Sequence, residues 1–165
     1  MDGFHITVMD NFFDEEVLTK LQNHLPYINY AARLNIIDNI NHIWFSAEGE
    51  EWVSKIMKDK SEKLLNKKFK VNFCSYTMLA TVEPVVHCDH SKKCDYQIIV
   101  YVKGNTNLHK GTGFYLNDEL NTHIGFAENR AVLWHANTYH SPLNWASDDK
   151  SKRYSVICQL KELDD

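Results

Sequence analysis

Arginine is the scarcest charged residue in this 165-residue chain, with 3 against 15 lysines. The net charge is −4 and the pI about 6.1, so no global basic field draws the chain to nucleic acid or to an anionic membrane. Proline and glycine are also few, at 3 and 6, which excludes collagen-like and Gly/Pro-rich disordered classes. No run of about 18 apolar residues is present, and the N-terminus lacks a basic-then-apolar signal. The sequence therefore predicts a cytoplasmic protein. Its four cysteines, Cys74, Cys88, Cys94 and Cys158, have no framework spacing and are expected as free thiols in a reducing compartment.

What is present is ordinary for a folded globular chain: 44% hydrophobic and 24% charged residues, with no internal repeat or low-complexity tract. Length predicts a single domain over residues 1–165, which the helix-like and then strand-like patterns along the chain divide into helical support in 1–68 and a barrel in 69–163. Phe4 to Met9 alternates like a short strand. Asp14 is an N-cap candidate, followed by Glu15 and Glu16 in the first turn. Val17, Leu18, Leu21 and Leu25 recur at helical spacing until Pro26. Residues 27–45 are irregular in pattern and predict a packed loop. A second helix is expected from about Ser46 to Asn66, with Trp52, Val53, Ile56, Met57, Leu64 and Leu65 as its buried stripe. The lysines crowding this region alternate with Glu50, Glu51, Asp59 and Glu62, which predicts a solvated face rather than a nucleic-acid patch.

From Phe69 the pattern turns strand-like. Strands are expected over residues 70–82, at Tyr96 to Val102 (apolar on both faces, hence central), at Phe114 to Leu116, at Ala131 to Trp134 and at Arg153 to Leu160. Helices followed by turn-separated strands predict an α+β, mainly β chain. The architecture expected is a double-stranded β-helix, or jelly-roll barrel, backed by N-terminal helices.

Within Val85-Val86-His87-Cys88-Asp89-His90, an extended backbone puts His87 and Asp89 on one side and Cys88 on the other. An imidazole and a carboxylate so placed can hold two adjacent positions on a divalent first-row metal, and a distal histidine would complete a facial triad. Composition alone produces such triplets readily, so the weight falls on what accompanies it. His135 and His140, after the apolar strand Ala131 to Trp134, both qualify as the third ligand. A rival cluster of Cys88, His90 and Cys94 could take zinc, but it lacks a regular Cys-x-x-Cys spacing. Further on, Arg153 and Ser155 share a strand face. A buried arginine needs a carboxylate partner, and a bound dicarboxylate would serve, gripped by the guanidinium fork with the serine hydroxyl adding a bond.

His87-x-Asp89, a distal histidine and Arg153-x-Ser155 together resemble the iron(II)/2-oxoglutarate-dependent oxygenases. Val8 to Phe13 with its helix is similar to the start of the small prolyl-4-hydroxylase-like branch, and Lys110 to Tyr115 to the glycine-led strand after the first two ligands. The resemblance implies His87, Asp89 and His140 as iron(II) ligands, its register preferring His140 to His135. It implies Arg153 and Ser155 as holders of 2-oxoglutarate, with Tyr76, eleven residues before His87, as a further contact. The implied reaction couples decarboxylation of 2-oxoglutarate by O2 to hydroxylation of an amino-acid unit, prolyl in a peptide being the branch's usual choice. Two other functions fit less well. Nucleobase oxidative demethylation is disfavoured by the acidic balance, and a non-catalytic barrel binding a metal or dicarboxylate by the completeness of the residue set. The expected substrate rim, residues 27–45, 91–95 and 143–152, carries no decodable specificity signal.

Overall fold

The computed structural model describes residues 5–37, 40–79, 85–143 and 152–163. Among them, ten strands and two α-helices build the fold. Strand β1 (Ile6–Met9) leads to α1 (Glu15–His24), with Asp14 extended at its N-cap and Glu15 and Glu16 facing the positive end of the helix dipole. The helix passes into a single 3-10 turn containing Pro26 (Leu25–Tyr27). The segment expected as a loop is instead a hairpin, β2 (Ala31–Ile37) and β3 (Ile40–Glu48). Asparagines such as Asn35 and Asn41 hide the alternation there. The strand state comes from backbone pairing, because Phe45 to Glu48 add to the edge of β4 (Phe69–Leu79).

That pairing also delays the second helix. Ser46 lies in β3, opposite Thr77, and α2 (Glu51–Leu65) begins only after Gly49 and Glu50. Gly49 sits so close to β4 that a Cβ there would fall 2.6 Å from Cys74 Sγ. Asn66 ends α2 in the left-handed conformation, at φ 52°. Of the predicted stripe, Val53 and Met57 are buried, Trp52, Ile56 and Leu65 half-buried, and Leu64 exposed. The expected helical support in residues 1–68 thus also contributes three strands.

The remaining strands are β5 (Tyr96–Lys103), β6 (Asn107–Leu116), β7 (Glu119–Phe126), β8 (Arg130–His135), β9 (Tyr139–Leu143) and β10 (Arg153–Glu162). The sequence reading had no strand at β7, whose Glu119, Asn121, Thr122 and His123 conceal the period. The two-residue turn before it has positive φ at both Asn117 and Asp118, the conformation that a tight hairpin requires. Residues 80–82 of the strand expected over 70–82, and 144–151 of the expected rim, lie outside the described residues.

All pairings are antiparallel. The larger sheet has the order β1-β8-β5-β10-β4-β3-β2 and the smaller β7-β6-β9. β5 is central, as its apolar run predicts. The two sheets face one another across a cluster of Ile99, Tyr101, Phe114, Phe126, Val132 and Trp134. The opposite face of the larger sheet packs on the helices through Tyr76, Ile98, Val100, Leu133, Val156, Cys158 and Leu160, among others. Each large apolar side chain so buried contributes roughly 1.5–3 kcal/mol. This is a jelly-roll barrel with helices on one side. Alternation along each strand therefore decides which residues reach the barrel interior and which face the helices.

Candidate metal and co-substrate site

Two short extended segments, one around His87 and one around His140, meet. His87 and His140 form an isolated antiparallel bridge, and Asp89 N–H bonds the carbonyl of Ala136 at 3.1 Å. The chain between the β8 and β9 strands is thereby zipped to residues 87–95, where Ala136 N–H also bonds Asp95 O at 2.8 Å. The bridge sets the two imidazoles side by side with ring centroids 4.5 Å apart. Asp89 Oδ2 lies 3.2 Å from His140 Nε2 and 3.9 Å from His87 Nε2. One ligand atom from each of the three residues falls within 4.8 Å of the others, and they are the only such His/Cys/Asp/Glu group among the described residues.

The other ring nitrogens are committed. His87 Nδ1 donates to Val85 O at 2.8 Å and His140 Nδ1 to Thr138 O at 3.0 Å, carbonyl oxygens being acceptors only. Each bond orients its ring and leaves Nε2 as the metal-facing atom, the arrangement that ligating histidines use. His140 is buried, with Trp134 edge-on at 4.9 Å, while His87 and Asp89 are half-buried. Burial works against the Asp89 charge, but the hydrogen bond from His140, both imidazoles and the Gln97 amide outweigh it, so its carboxyl stays below the usual carboxylate range. Two imidazole lone pairs and a carboxylate oxygen aimed at one point repel unless a cation lies between them. A proton satisfies one edge of that triangle, and a divalent metal satisfies all three. Ligands at right angles about 2.1 Å from a metal stand about 3 Å apart, close to the shorter observed edge.

His135 does not join this group. It lies on the helix-facing side of β8, edge-on to Tyr96 at 5.0 Å and stacked with His90 at 6.4 Å. The rival zinc cluster does not assemble either. Cys88 and His90 are exposed, whereas Cys94 is fully buried, with its thiol pushed up to about 12 by burial and by the nearby Asp89 charge. A thiol held protonated is a poor zinc ligand.

Arg153 and Ser155 both point into the barrel and are 2% and 1% exposed. The Arg153 guanidinium lies over the Phe126 ring at 5.0 Å. Its stem passes Gly104, where a Cβ would meet Arg153 Cγ at 2.9 Å and where φ is +152°. Ser155 is the middle of a row across three strands, opposite Thr77 on β4 and Tyr101 on β5. Tyr101 is fully buried and shares a hydrogen bond with Thr112 at 2.7 Å. Burial raises its phenol pKa against the pull of the Arg130 and Arg153 charges, keeping it neutral and able to donate. Thr77 is 4% exposed, and its Oγ1 has no hydrogen-bond partner among the described residues.

Tyr76 is placed elsewhere. One residue from Thr77 along a strand, it faces the helices, and its hydroxyl donates to Glu50 Oε2 at 2.9 Å. Strand alternation therefore removes Tyr76 from the interior and puts Thr77 there. The sequence reading also missed Gln97, Tyr101 and Thr112. The first two share the parity of Ile99, so the signal was present in β5, but its apolar length masked it.

No protein-family sequence model matches the chain, and no curated protein matches it in sequence. Solved structures do share its fold. An oxidoreductase of the 2OG-Fe(II) oxygenase family from Burkholderia pseudomallei aligns with a TM-score of 0.69 at 7% identity, over 94% of this chain and 84% of that one. A prolyl-4-hydroxylase from Pseudomonas putida aligns at 0.67 and 10% identity, over 98% and 94%. HygX from Streptomyces hygroscopicus, solved with nickel, 2-oxoglutarate and hygromycin B bound, aligns at 0.70 and 9% identity, over 96% and 83%. The fold is that of the 2OG-Fe(II) oxygenases, and it brings a His-Asp-His group together.

Proposed function

We propose that this chain is an iron(II)- and 2-oxoglutarate-dependent dioxygenase that hydroxylates an amino-acid unit, with a prolyl residue in a peptide as the favoured substrate. The observation that carries the reading is the convergence of His87, Asp89 and His140, each imidazole held by a backbone carbonyl at Nδ1. The polar floor supports the co-substrate: Arg153 supplies a permanent positive fork, Ser155 and Thr77 supply hydroxyls, and Tyr101 a neutral phenol. The unspent Thr77 hydroxyl is what a site for an acceptor-rich ligand would keep. The row of Ile99, Ile157 and Ser75 separates this floor from the Gln97 and Trp134 level beside the metal group, each row rising about 7 Å.

When bound, iron(II) with 2-oxoglutarate supplies the oxidising chemistry. The chain's own residues do the positioning. His87, Asp89 and His140 would hold the iron, Arg153 and Ser155 would orient the distal carboxylate of the co-substrate, and Trp134 and Phe114 keep water from the His140 side. The 2-oxoglutarate bound to HygX and the activity named for the Pseudomonas putida protein favour this co-substrate and this substrate class. Two lysines in and just after α2 are paired with carboxylates, Lys58 with Asp59 and Glu62 and Lys67 with Glu162, which thins the basic charge that nucleobase demethylation would need. We read residues 1–165 as one oxygenase domain working in the cytoplasm, where its free cysteines stay reduced. No helix among the described residues is long and apolar enough to cross a membrane.

The test is anaerobic addition of iron(II) and then 2-oxoglutarate, followed by 2-oxoglutarate-dependent succinate release with free amino acids, proline-rich peptides and methylated oligonucleotides. A visible charge-transfer band and release stimulated by a peptide are expected. Metal and 2-oxoglutarate binding without turnover on any of these would favour a sensor barrel, and no 2-oxoglutarate binding would overturn the reading.

A further inference from the structure

Gln97 is buried at 5% exposure on the barrel face of β5, opposite Gln159 on one side and Trp134 on the other. With its oxygen turned to Gln159, its NH2 is the end left to neighbour the Asp89 carboxylate, whose charge it helps to hold. Gln159 Nε2 lies 3.4 Å from Gln97 Oε1, and Asn72 Nδ2 lies 3.4 Å from Gln159 Oε1. Asn72 reaches this position through a bulge. Gln159 pairs with Phe73 and Leu160 with Val71, which leaves Asn72 as the extra residue on β4, its side chain re-aimed.

The chain of amides has one allowed direction. An ionised carboxylate only accepts, so Gln97 must turn its NH2 to Asp89. Its oxygen is then free to accept from Gln159, and the oxygen of Gln159 to accept from Asn72. Three neutral dipoles therefore align head to tail from the exposed Asn72 on β4 and end on one metal-group residue. The low dielectric strengthens the part-buried inner bond, between Gln159 and Gln97, while the outer one at Asn72 is exposed.

We infer that Gln97 is a positioning residue for the metal centre: it holds the Asp89 carboxylate in the rotamer that presents one oxygen to the metal, and Gln159 with Asn72 holds Gln97. This rests on the metal reading proposed above. The amide adds no charge, so it orients the ligand without changing the net charge of the site. Hydrogen bonds to ligating side chains are worth about 10- to 100-fold in metal affinity.

The experiment uses the full chain with Co(II) as a spectroscopic probe, titrated under anaerobic conditions. Gln97→Met keeps the length of the side chain and removes the donor. It should weaken Co(II) binding by about 10- to 100-fold and shift the visible ligand-field band. Gln159→Met should weaken binding in the same direction by less, and the double variant should match Gln97→Met, because Gln159 acts only through Gln97. A purely structural role predicts a lowered melting temperature with wild-type Co(II) affinity and an unmoved band, and that result would overturn the inference. If Gln97→Met does not fold, Gln159→Met decides by the same two readouts. Failure of the wild-type chain to bind Co(II) would overturn the metal reading itself, and this inference with it.

Discussion

His87 and His140 exchange backbone hydrogen bonds, His87 N–H to His140 O at 3.0 Å and His140 N–H to His87 O at 2.8 Å. A hydrogen-bonded antiparallel pair puts both side chains on the same face, so the bridge delivers the two imidazoles together whatever the intervening chain does. Neither residue needs a long strand to be placed. The metal group is consequently a property of two pinned segments.

His140→Ala should remove one corner of the group and cut metal affinity by more than about 100-fold, beyond what outer-shell changes reach. His135→Ala should leave it near wild type, since that ring packs on Tyr96 on the far side of β8. Co(II) titration of both variants checks this. The reverse pattern would move the ligand assignment to His135.

Thr77 and Tyr76 offer a second contrast. Thr77→Val removes a buried hydroxyl on the floor at nearly constant shape and should weaken 2-oxoglutarate binding by roughly 5-fold, the worth of about 1 kcal/mol. Tyr76→Phe should leave that binding unchanged. Because its hydroxyl bonds Glu50 Oε2 and accepts from Glu50 N–H, it should instead cost about 1 kcal/mol of folding stability. Equilibrium dialysis with 2-oxoglutarate and urea unfolding separate the two. A Tyr76→Phe variant that loses co-substrate affinity would return Tyr76 to the site.

Much of this was legible before any coordinates. β5, β8, β10 and α1 follow from apolar period and capping residues, and the His87-Asp89 spacing follows from strand alternation. What was not legible depends on pairing. The β2–β3 hairpin joins the sheet because β4 offers an edge to Phe45–Glu48, while its asparagine-bearing residues pair with one another and display no period. The choice between Tyr76 and Thr77 turns on a single residue of register, and register reverses faces completely. Gln97 was hidden for a related reason: a strand buried on both faces reads as a continuous apolar run, so one polar residue within it looks incidental.

Asp95 fastens the end of β10 close to the metal group, accepting from Lys161 Nζ and from Glu162 N–H, both at 2.9 Å. Burial opposes its charge, but these bonds win and its carboxyl pKa is lowered. A depressed folded-state pKa means that the stabilisation is complete above the unfolded value of about 4 and fades as pH falls through the lower folded value. Asp95→Asn should therefore cost about 1–2 kcal/mol at pH 7, discounted for the partly exposed lysine, and flatten the acid limb below about pH 4. Thermal unfolding from pH 2 to 7 checks it. Parallel wild-type and variant curves across that range would show that Asp95 contributes no titrating stability.

Arg153 carries the strongest single claim on the co-substrate. Its guanidinium is always charged, lies flat over Phe126 and presents a rigid fork, so it can bind a carboxylate through two bonds at once in a site closed to water. Arg153→Ala should raise the half-saturating 2-oxoglutarate concentration by about 10- to 100-fold, from the loss of roughly 1.5–3 kcal/mol. Arg153→Lys should recover only part of this, since an ammonium keeps the charge but loses the fork and the stacking on Phe126. Co(II) binding should be unaffected in both variants, because Arg153 sits three strand rows from the Gln97 level beside the metal group. An unchanged 2-oxoglutarate requirement in Arg153→Ala would take Arg153 out of the site, and co-substrate binding would then have to rest on the neutral donors Thr77, Ser155 and Tyr101.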